Sequence, residues 1–182
     1  DRSGSSVSIL DPKTYDWKNI LQKKTWLHIS GITPALSENA FEATLEAVKI
    51  ARILGIRISC DLNYRSKLWR WNKNTSSLEL ARIKMQHILE YVDILIGNEK
   101  DAEDILNIEI PESNFARGEI NIDQYPKIAE KINHKYPNIK LIAITLRESV
   151  SANHNRWGAM LYDTLKKSSF FSPKKNNKYI PY

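Results

Sequence analysis

A short apolar run that becomes polar at its end constrains the fold of this chain more than any other feature. Residues 56–60 form a run of strand length, which Gly55 separates from a preceding helical pattern. Asp61, Asn63 and Arg65 follow at alternating positions. Alternate side chains of an extended chain point to the same side. A carboxylate, an amide and a guanidinium at the carboxyl end of a buried strand are typical of a ligand site in an open α/β sheet.

The same three side chains also fit a purely structural role. In that interpretation the segment is a capped loop, and the guanidinium of Arg65 pairs with the carboxylate of Asp61. An isolated D-x-N-x-R pattern does not distinguish a ligand site from such a loop. The choice depends on what the other strands carry at their ends.

Strand and helix patterns alternate along the chain. A buried strand at residues 26–29, with His28 as a core histidine, precedes an amphipathic helix at 37–54. The other predicted elements are a short helix or turn at 15–20, a helix that begins at Ser76 or Ser77, a strand at 93–97, an acidic helix at 100–106, a surface loop at 108–121, a helix at 123–136, a strand at 141–145, two antiparallel edge strands at 157–162 and 168–172, and a tail from Pro173 with little to pack against. This order implies parallel strands joined by right-handed crossovers. The sequence therefore predicts an α/β fold with a mainly parallel central sheet.

Polar residues follow three of the predicted strands. The clusters are Asp61/Asn63/Arg65, Asn98/Glu99/Asp101 and Thr145/Arg147/Ser149. Carboxyl ends of parallel strands share one edge of a sheet, so a nucleotide and a small substrate could meet there. No G-x-x-x-x-G-K-[ST] pattern occurs, which excludes P-loop phosphate binding.

Charge and composition limit the classes of partner that this chain can have. The net charge is +6, but no helix-turn-helix, zinc-finger or RNA-recognition signature accompanies it, so the charge indicates a solvated surface with an anion-friendly site rather than nucleic-acid binding. No apolar run has the length needed to span a bilayer, and no signal-peptide pattern occurs at the start. The single cysteine, Cys60, excludes an intrachain disulfide and is predicted to be an inert core thiol, which fits a cytoplasmic protein. The sequence is compatible with a homo-oligomer.

Four sequence blocks, in order along nearly the whole chain, resemble the PfkB (ribokinase-like) carbohydrate kinases, and among them the kinases of 2-keto-3-deoxygluconate. The blocks are SGITPALS at 30–37, DLNYRSKLW at 61–69, GNEKDAE at 97–103 and AITLRES at 143–149. The resemblance implies a three-layer α/β sandwich with a mainly parallel central sheet, of which residues 1–182 are the central part of one kinase domain. It also implies ATP and Mg²⁺ as cofactors and the sugar acid as substrate.

The resemblance assigns the acid-binding role to two arginines. Arg2, beside a Gly-Ser pair, and Arg65 would bind the acid group of the sugar, with Gly31 and Asn63 at the same site. A planar guanidinium can grip a carboxylate through two parallel hydrogen bonds. Outside such a site, Arg2 would be a solvated charge near the terminus.

Asn98 and Asp101 match the N-x-x-E pattern that holds magnesium and phosphate through ordered water in the resembling kinases. Asp101 is one methylene shorter than the glutamate of that pattern, and Glu99 or Glu103 could share its role. Magnesium prefers oxygen ligands and keeps several of its waters, which suits such a site. A purely structural interpretation is a helix N-terminus that Asn98 caps and whose dipole the carboxylates complement, and both roles can hold together.

Thr145, Arg147 and Ser149, together with Asn98, would line the nucleotide side. They occupy the place of a T-x-G-x-x-G turn in most of the resembling kinases, but the glycines are missing. Arg147 could instead offer positive charge to a phosphate, or it could simply form a salt bridge with a neighbour such as Glu148.

No residue is assigned as the catalytic base. In the resembling kinases that base is an aspartate in a G-A-G-D or G-G-G-D stretch, which does not occur in this sequence. We therefore expect an incomplete kinase chain without turnover of its own. Two alternatives remain: another PfkB sugar or nucleoside kinase, and a non-enzymatic α/β ligand-binding module.

Overall fold

The structure is a computed structural model that describes residues 4–108, 122–151, 154–174 and 180–181. The helices are α1 (Ser6–Ile9), α2 (Trp17–Leu21), α3 (Glu38–Ile53), α4 (Ser77–Leu89), α5 (Glu99–Asp104) and α6 (Gln124–Lys135), with a 3₁₀ turn at Pro12–Thr14. The strands are β1 (Trp26–Ser30), β2 (Arg57–Asp61), β3 (Ile94–Gly97), β4 (Leu141–Ser151), β5 (His154–Asp163), β6 (Ser168–Phe171) and β7 (Ile180–Pro181).

The strands form one sheet in the order β1-β2-β3-β4-β5-β6, and β7 also pairs with β5. Strands β1 to β4 are parallel to one another, whereas β5 is antiparallel to both β4 and β6. The crossovers through α3, α4 and α6 all step in the same direction across the sheet, so right-handed connections place these helices on one face. The predicted α/β fold with a mainly parallel sheet is confirmed.

Local capping signals set the ends of the two longest helices. The Ser37 hydroxyl accepts a hydrogen bond from Ala40 N–H at 3.0 Å and caps α3, so the helix begins where its apolar pattern predicts. Gly55, with φ of +71°, follows the end of α3 in the left-handed region that favours glycine. The Ser76 hydroxyl caps α4 in the same way by accepting from Glu79 N–H at 3.2 Å. The predicted bounds of α3 and the predicted start of α4 are therefore confirmed to within one residue.

The two faces of the sheet differ in burial. The face toward the crossover helices is buried along β2 to β5, and its core side chains are Ile58, Cys60, Leu95, Ile142, Ile144, Leu146, Met160 and Tyr162. Asp61, Ile96 and Ala143 align across β2, β3 and β4 on the opposite face, which is only half-buried. Thr145 and Arg147 continue this face along β4 because strand side chains alternate. The carboxyl end of the sheet thus presents polar side chains on its more open face.

A buried carboxylate secures the opposite, amino end of the sheet. Asp93 accepts a hydrogen bond from Ile58 N–H at 2.9 Å and forms ion pairs with Arg52 at 3.2 Å and Lys140 at 3.3 Å. Burial raises its pKa, but the Ile58 N–H and the two cations outweigh that effect and hold the pKa below its usual range.

The first strand was predicted to be buried, and this prediction is wrong. Strand β1 lies at the edge of the described sheet, Trp26 is 49% exposed, and His28 is exposed rather than in the core. His28 Nδ1 lies 2.8 Å from Ser59 Oγ, which also accepts a hydrogen bond from Trp26 Nε1 at 2.9 Å. An apolar run in the sequence does not show whether the strand will have neighbours on both sides in the sheet.

The predictions for the carboxyl-terminal part need three corrections. Strand β4 continues to Ser151 instead of ending at Thr145, because the segment without glycines stays extended and pairs with β5. Strand β5 lies between β4 and β6 and is not an edge. The tail contributes Ile180–Pro181, which pairs with β5.

Residues 109–121 of the predicted surface loop lie outside the described part, whereas Ile108 is buried. Helix α3, with 16 residues, is the longest of the described helices, and none of them is long and apolar enough to span a bilayer.

Candidate active site

The carboxyl ends of β1 and β2 meet so closely that only glycine fits between them. Gly31 N–H donates to the Asp61 carbonyl oxygen at 2.8 Å. A Cβ added at Gly31 would lie 2.0 Å from the Leu62 carbonyl oxygen, far inside van der Waals contact. Gly31 therefore keeps the backbone of the two strand ends in direct contact at this edge.

Asp61 and Asn63 face this junction. Asp61 pairs in register with Ser30, and the Asn63 side-chain amide donates to Ser30 Oγ at 3.4 Å. Asn63 adopts φ of +41°, a conformation that asparagine tolerates better than most residues. Burial raises the pKa of Asp61, while the charges of His28 and Arg65 and the Asn63 backbone N–H act in the opposite direction. The edge thus holds a partly desolvated carboxylate beside an amide.

Arg65 does not form the ion pair of the capped-loop interpretation. Its side chain is exposed, and Nη1 donates to the carbonyl oxygen of Tyr64 at 2.8 Å. Within the described residues it forms no salt bridge with Asp61, although its charge lowers the pKa of that carboxyl. The guanidinium therefore retains donors that an acidic ligand could use.

Asn98 and Asp101 form a capping box at the start of α5. Asn98 Oδ1 accepts from Asp101 N–H at 2.8 Å, and Asp101 Oδ2 accepts from Asn98 N–H at 3.2 Å. The other carboxylate oxygen, Oδ1, accepts from Tyr64 N–H at 3.3 Å. Asp101 is 6% exposed. The predicted cap at Asn98 is confirmed, and Asp101 additionally contacts the loop after β2.

Negative charge accumulates at this edge. Burial raises the pKa of Asp101, and the nearby charge of Asp61 adds to this effect, whereas backbone donors and Arg65 oppose it. Burial also raises the pKa of Glu99, and the charge of Asp101 raises it further. A cation placed here would favour the ionised form of these carboxyl groups.

The donor set fits magnesium held through water better than magnesium bound directly. Both oxygens of Asp101 already accept backbone N–H groups, so a direct bond to a metal would compete with them. No cluster of three or more potential ligand side chains from His, Cys, Asp and Glu occurs in the part of the chain that the structure describes. Magnesium commonly keeps several of its waters and uses one or two protein carboxylates, which such a site can supply.

The third polar cluster extends along β4 beyond the end of β3. The Thr145 hydroxyl donates to the Gly97 carbonyl oxygen at 3.4 Å and ties this cluster to the start of the Asn98 turn. Arg147 is exposed, and its guanidinium carbon lies 5.7 Å from the ring centre of Trp157, its cross-strand partner. Ser149 pairs with Asn155 in the same ladder.

Most of the residues at this edge were also predicted from the sequence, but some were not. The Arg2 prediction lies outside the described residues. Sequence reasoning missed the Tyr64 N–H, which carries no side-chain signal, and Trp157, whose position opposite Arg147 depends on the register of two strands. It also missed the hydrogen bond between Ser30 and Asn63, whose partners are 33 residues apart.

An open, mainly parallel sheet with polar groups and a glycine junction at its carboxyl edge is typical of α/β domains that bind small molecules at that edge. The family model of pfkB family carbohydrate kinases matches residues 5–147. Because this match spans most of the chain, the chain belongs to the pfkB family of carbohydrate kinases. The predicted ribokinase-like fold class is confirmed with it.

Three similar proteins indicate where in the family the chain stands. A 2-dehydro-3-deoxygluconokinase structure from Thermotoga maritima has a TM-score of 0.78 and 38% identity, and the match covers 94% of this chain and 47% of that chain. A PfkB family carbohydrate kinase from Listeria grayi has a TM-score of 0.69 and 31% identity over 88% of this chain and 43% of that chain. A 2-dehydro-3-deoxygalactonokinase from Haloferax volcanii is 34% identical over 109 residues, which are 60% of this chain and 32% of that protein. The chain thus spans less than half the length of each of these relatives.

Proposed function

We propose that the protein to which this chain belongs transfers the γ-phosphoryl group of ATP to the terminal hydroxyl of 2-keto-3-deoxygluconate. The products would be ADP and the phosphorylated sugar acid. The observation that carries the proposal is the exposed Arg65 guanidinium beside Asn63 and Gly31, at the same edge as the Asn98–Asp101 turn. The names of two relatives, a 2-dehydro-3-deoxygluconokinase and a 2-dehydro-3-deoxygalactonokinase, support a 3-deoxy sugar acid as the substrate class.

The acidic group of the substrate would bind on the β2 side of the edge. Arg65 would donate to the sugar carboxylate, since its guanidinium is exposed and makes no ion pair with Asp61. Asn63 would donate or accept with a sugar hydroxyl, and the backbone at Gly31 would allow close approach. Arg2, by the family resemblance, would supply a second cation.

The phosphate groups would bind on the β3 and β4 side of the same edge. PfkB kinases generally use ATP and Mg²⁺. Asn98 and Asp101 would hold a magnesium ion through its waters, and bound magnesium would neutralise charge on the phosphate oxygens. Thr145, Arg147 and Ser149 would line the nucleotide, with Arg147 offering positive charge. Positioning and charge, rather than covalent chemistry, would supply the rate.

The proton of the acceptor hydroxyl needs a base that we do not assign within this sequence. We therefore propose that the 182-residue chain by itself has no turnover. The test uses the protein expressed from its complete natural reading frame. Release of ADP is measured with 2-keto-3-deoxygluconate, its galactonate epimer, neutral sugars and nucleosides.

We expect turnover with the sugar acids and little with neutral compounds. Preference for a neutral sugar or a nucleoside would refute the sugar-acid assignment while leaving a PfkB kinase. Binding of a ligand without ADP release from any compound would instead favour the non-enzymatic binding module. Faster turnover of the galactonate epimer would reassign the substrate within the same class.

Arg65→Ala tests the role of the guanidinium. Loss of a charged hydrogen bond to the substrate costs about 2 kcal/mol, so KM for the sugar acid should rise about thirtyfold. Lys67→Ala is the matched control, because Lys67 is another exposed cation of the same loop. An unchanged KM in Arg65→Ala would remove the assignment.

A further inference from the structure

One carboxylate connects two loops of the candidate site that are distant in sequence. Asp101 Oδ1 accepts from Tyr64 N–H at 3.3 Å, across 37 residues of chain, and Oδ2 accepts from Asn98 N–H at 3.2 Å. The side chain is buried, so water does not compete strongly for these bonds. Asp101 therefore fixes the loop after β2 against the turn after β3.

Hydrogen bonds hold the backbone of Tyr64 at both its N–H group and its carbonyl oxygen. Its N–H donates to Asp101, and its carbonyl oxygen accepts from Arg65 Nη1 at 2.8 Å. A shift of the Tyr64 backbone would therefore change the direction of the Arg65 guanidinium. On the other loop, Asn98 Oδ1 accepts from Asp101 N–H at 2.8 Å, so the Asn98 side chain is oriented by the same residue.

We propose that Asp101 is a positioning residue that links the arginine for the sugar acid to the amide for magnesium and phosphate. This inference rests on the proposed function of the edge. Because both oxygens of Asp101 accept backbone donors, its main contribution is the relative placement of Arg65 and Asn98. Loss of the carboxylate should therefore weaken sugar-acid binding even when neither nucleotide nor magnesium is present.

The test compares Asp101→Ala with Asp104→Asn in the protein from its complete reading frame. Asp104 is a control on the same helix, since its carboxylate pairs with Lys100 at 3.2 Å, whereas the Tyr64 and Asn98 N–H groups donate to Asp101. Calorimetry measures the Kd of 2-keto-3-deoxygluconate without nucleotide or magnesium. Amide hydrogen exchange follows the Tyr64 and Asn98 N–H groups in the ligand-free protein.

Asp101→Ala should raise the Kd of the sugar acid about tenfold, equivalent to about 1.4 kcal/mol, and should accelerate exchange at both amides. Asp104→Asn should change neither. If Asp101→Ala does not fold, Asp101→Asn is used instead; it keeps the volume and one acceptor oxygen, and a smaller change in the same direction is expected.

Two results would overturn the proposal. An unchanged Kd with an altered magnesium requirement would make Asp101 an ion ligand only, and an unchanged Kd with reduced unfolding free energy would make it a structural cap only. If the unsubstituted protein binds no sugar acid, the proposed function fails. In that case unchanged exchange at the Tyr64 amide of the variant would also refute the link between the loops, whereas faster exchange would support it.

Discussion

Replacing Gly31 with alanine is predicted to separate the ends of β1 and β2. The added Cβ would lie 2.0 Å from the Leu62 carbonyl oxygen, whereas ordinary contact begins near 3.4 Å, so one backbone must move by 3.4 − 2.0 = 1.4 Å. Such overpacking costs about 1–3 kcal/mol, and the movement also weakens the Gly31–Asp61 hydrogen bond, worth about 1 kcal/mol. We expect a loss of about 3 kcal/mol in the free energy of unfolding.

Urea denaturation measures this loss. With an m-value of about 2 kcal/mol/M, the midpoint of Gly31→Ala should fall by about 1.5 M. Two other glycines give graded controls. Gly4→Ala meets no atom within 4 Å and should change stability by less than about 0.5 kcal/mol. Gly55→Ala has free space but a φ of +71°, so it should cost about 1 kcal/mol.

A Gly31→Ala midpoint equal to that of Gly4→Ala would refute the close approach of the two strand ends. The same variant should also bind the sugar acid more weakly, because the shift displaces the loop that follows Asp61.

Three further predictions concern the fold that supports the site. Asp93 has a pKa below its usual range, so its contribution to stability is complete above the ordinary carboxyl pKa of about 3.9 and is lost as pH falls through the lower folded-state pKa. Asp93→Asn should therefore lower the free energy of unfolding at pH 7, and its difference from the unsubstituted protein should shrink below about pH 4 in urea titrations; a constant difference would contradict this. Ser37→Ala should cost about 1 kcal/mol through loss of the α3 cap, whereas Ser37→Asp should not, as urea midpoints would show. Burial and the charge of Asp61 raise the pKa of the Cys60 thiol, so the native protein should react with iodoacetamide at pH 8 only as fast as it unfolds; rapid labelling of folded protein would contradict that burial.

Features set by local chemistry could be predicted from the sequence. The Ser37 cap, the Gly55 stop and the spacing of apolar residues between them identify α3 because each acts within one or two turns of helix. The change from apolar to polar residues after residues 56–60 identified the end of β2 for the same reason. The parallel order of strands followed from the alternation of elements and the handedness of crossovers.

Features that depend on distant partners could not be predicted in this way. Most side chains of strand β1 are apolar, which is typical of a buried strand, yet among the described residues β1 has a neighbouring strand on one side only. The extension of β4 past Thr145 depends on its long ladder with β5, and the absence of glycines was its only local sign.

The candidate site shows the same division. Its side chains Asn63, Arg65 and Asn98 were placed at one edge from the sequence. The bond between Asp101 and the Tyr64 N–H was missed, because a backbone donor 37 residues away leaves no pattern in the sequence.

The central claim is that the sugar acid binds at the carboxyl edge of the parallel sheet. Amide chemical shifts of isotopically labelled protein, recorded during titration with 2-keto-3-deoxygluconate, test it most directly. We expect the largest changes at Gly31, Asn63 to Arg65 and Asn98, and none at Asp93, at the opposite end of the sheet. Changes centred on Asp93 and absent from Arg65 would contradict the account.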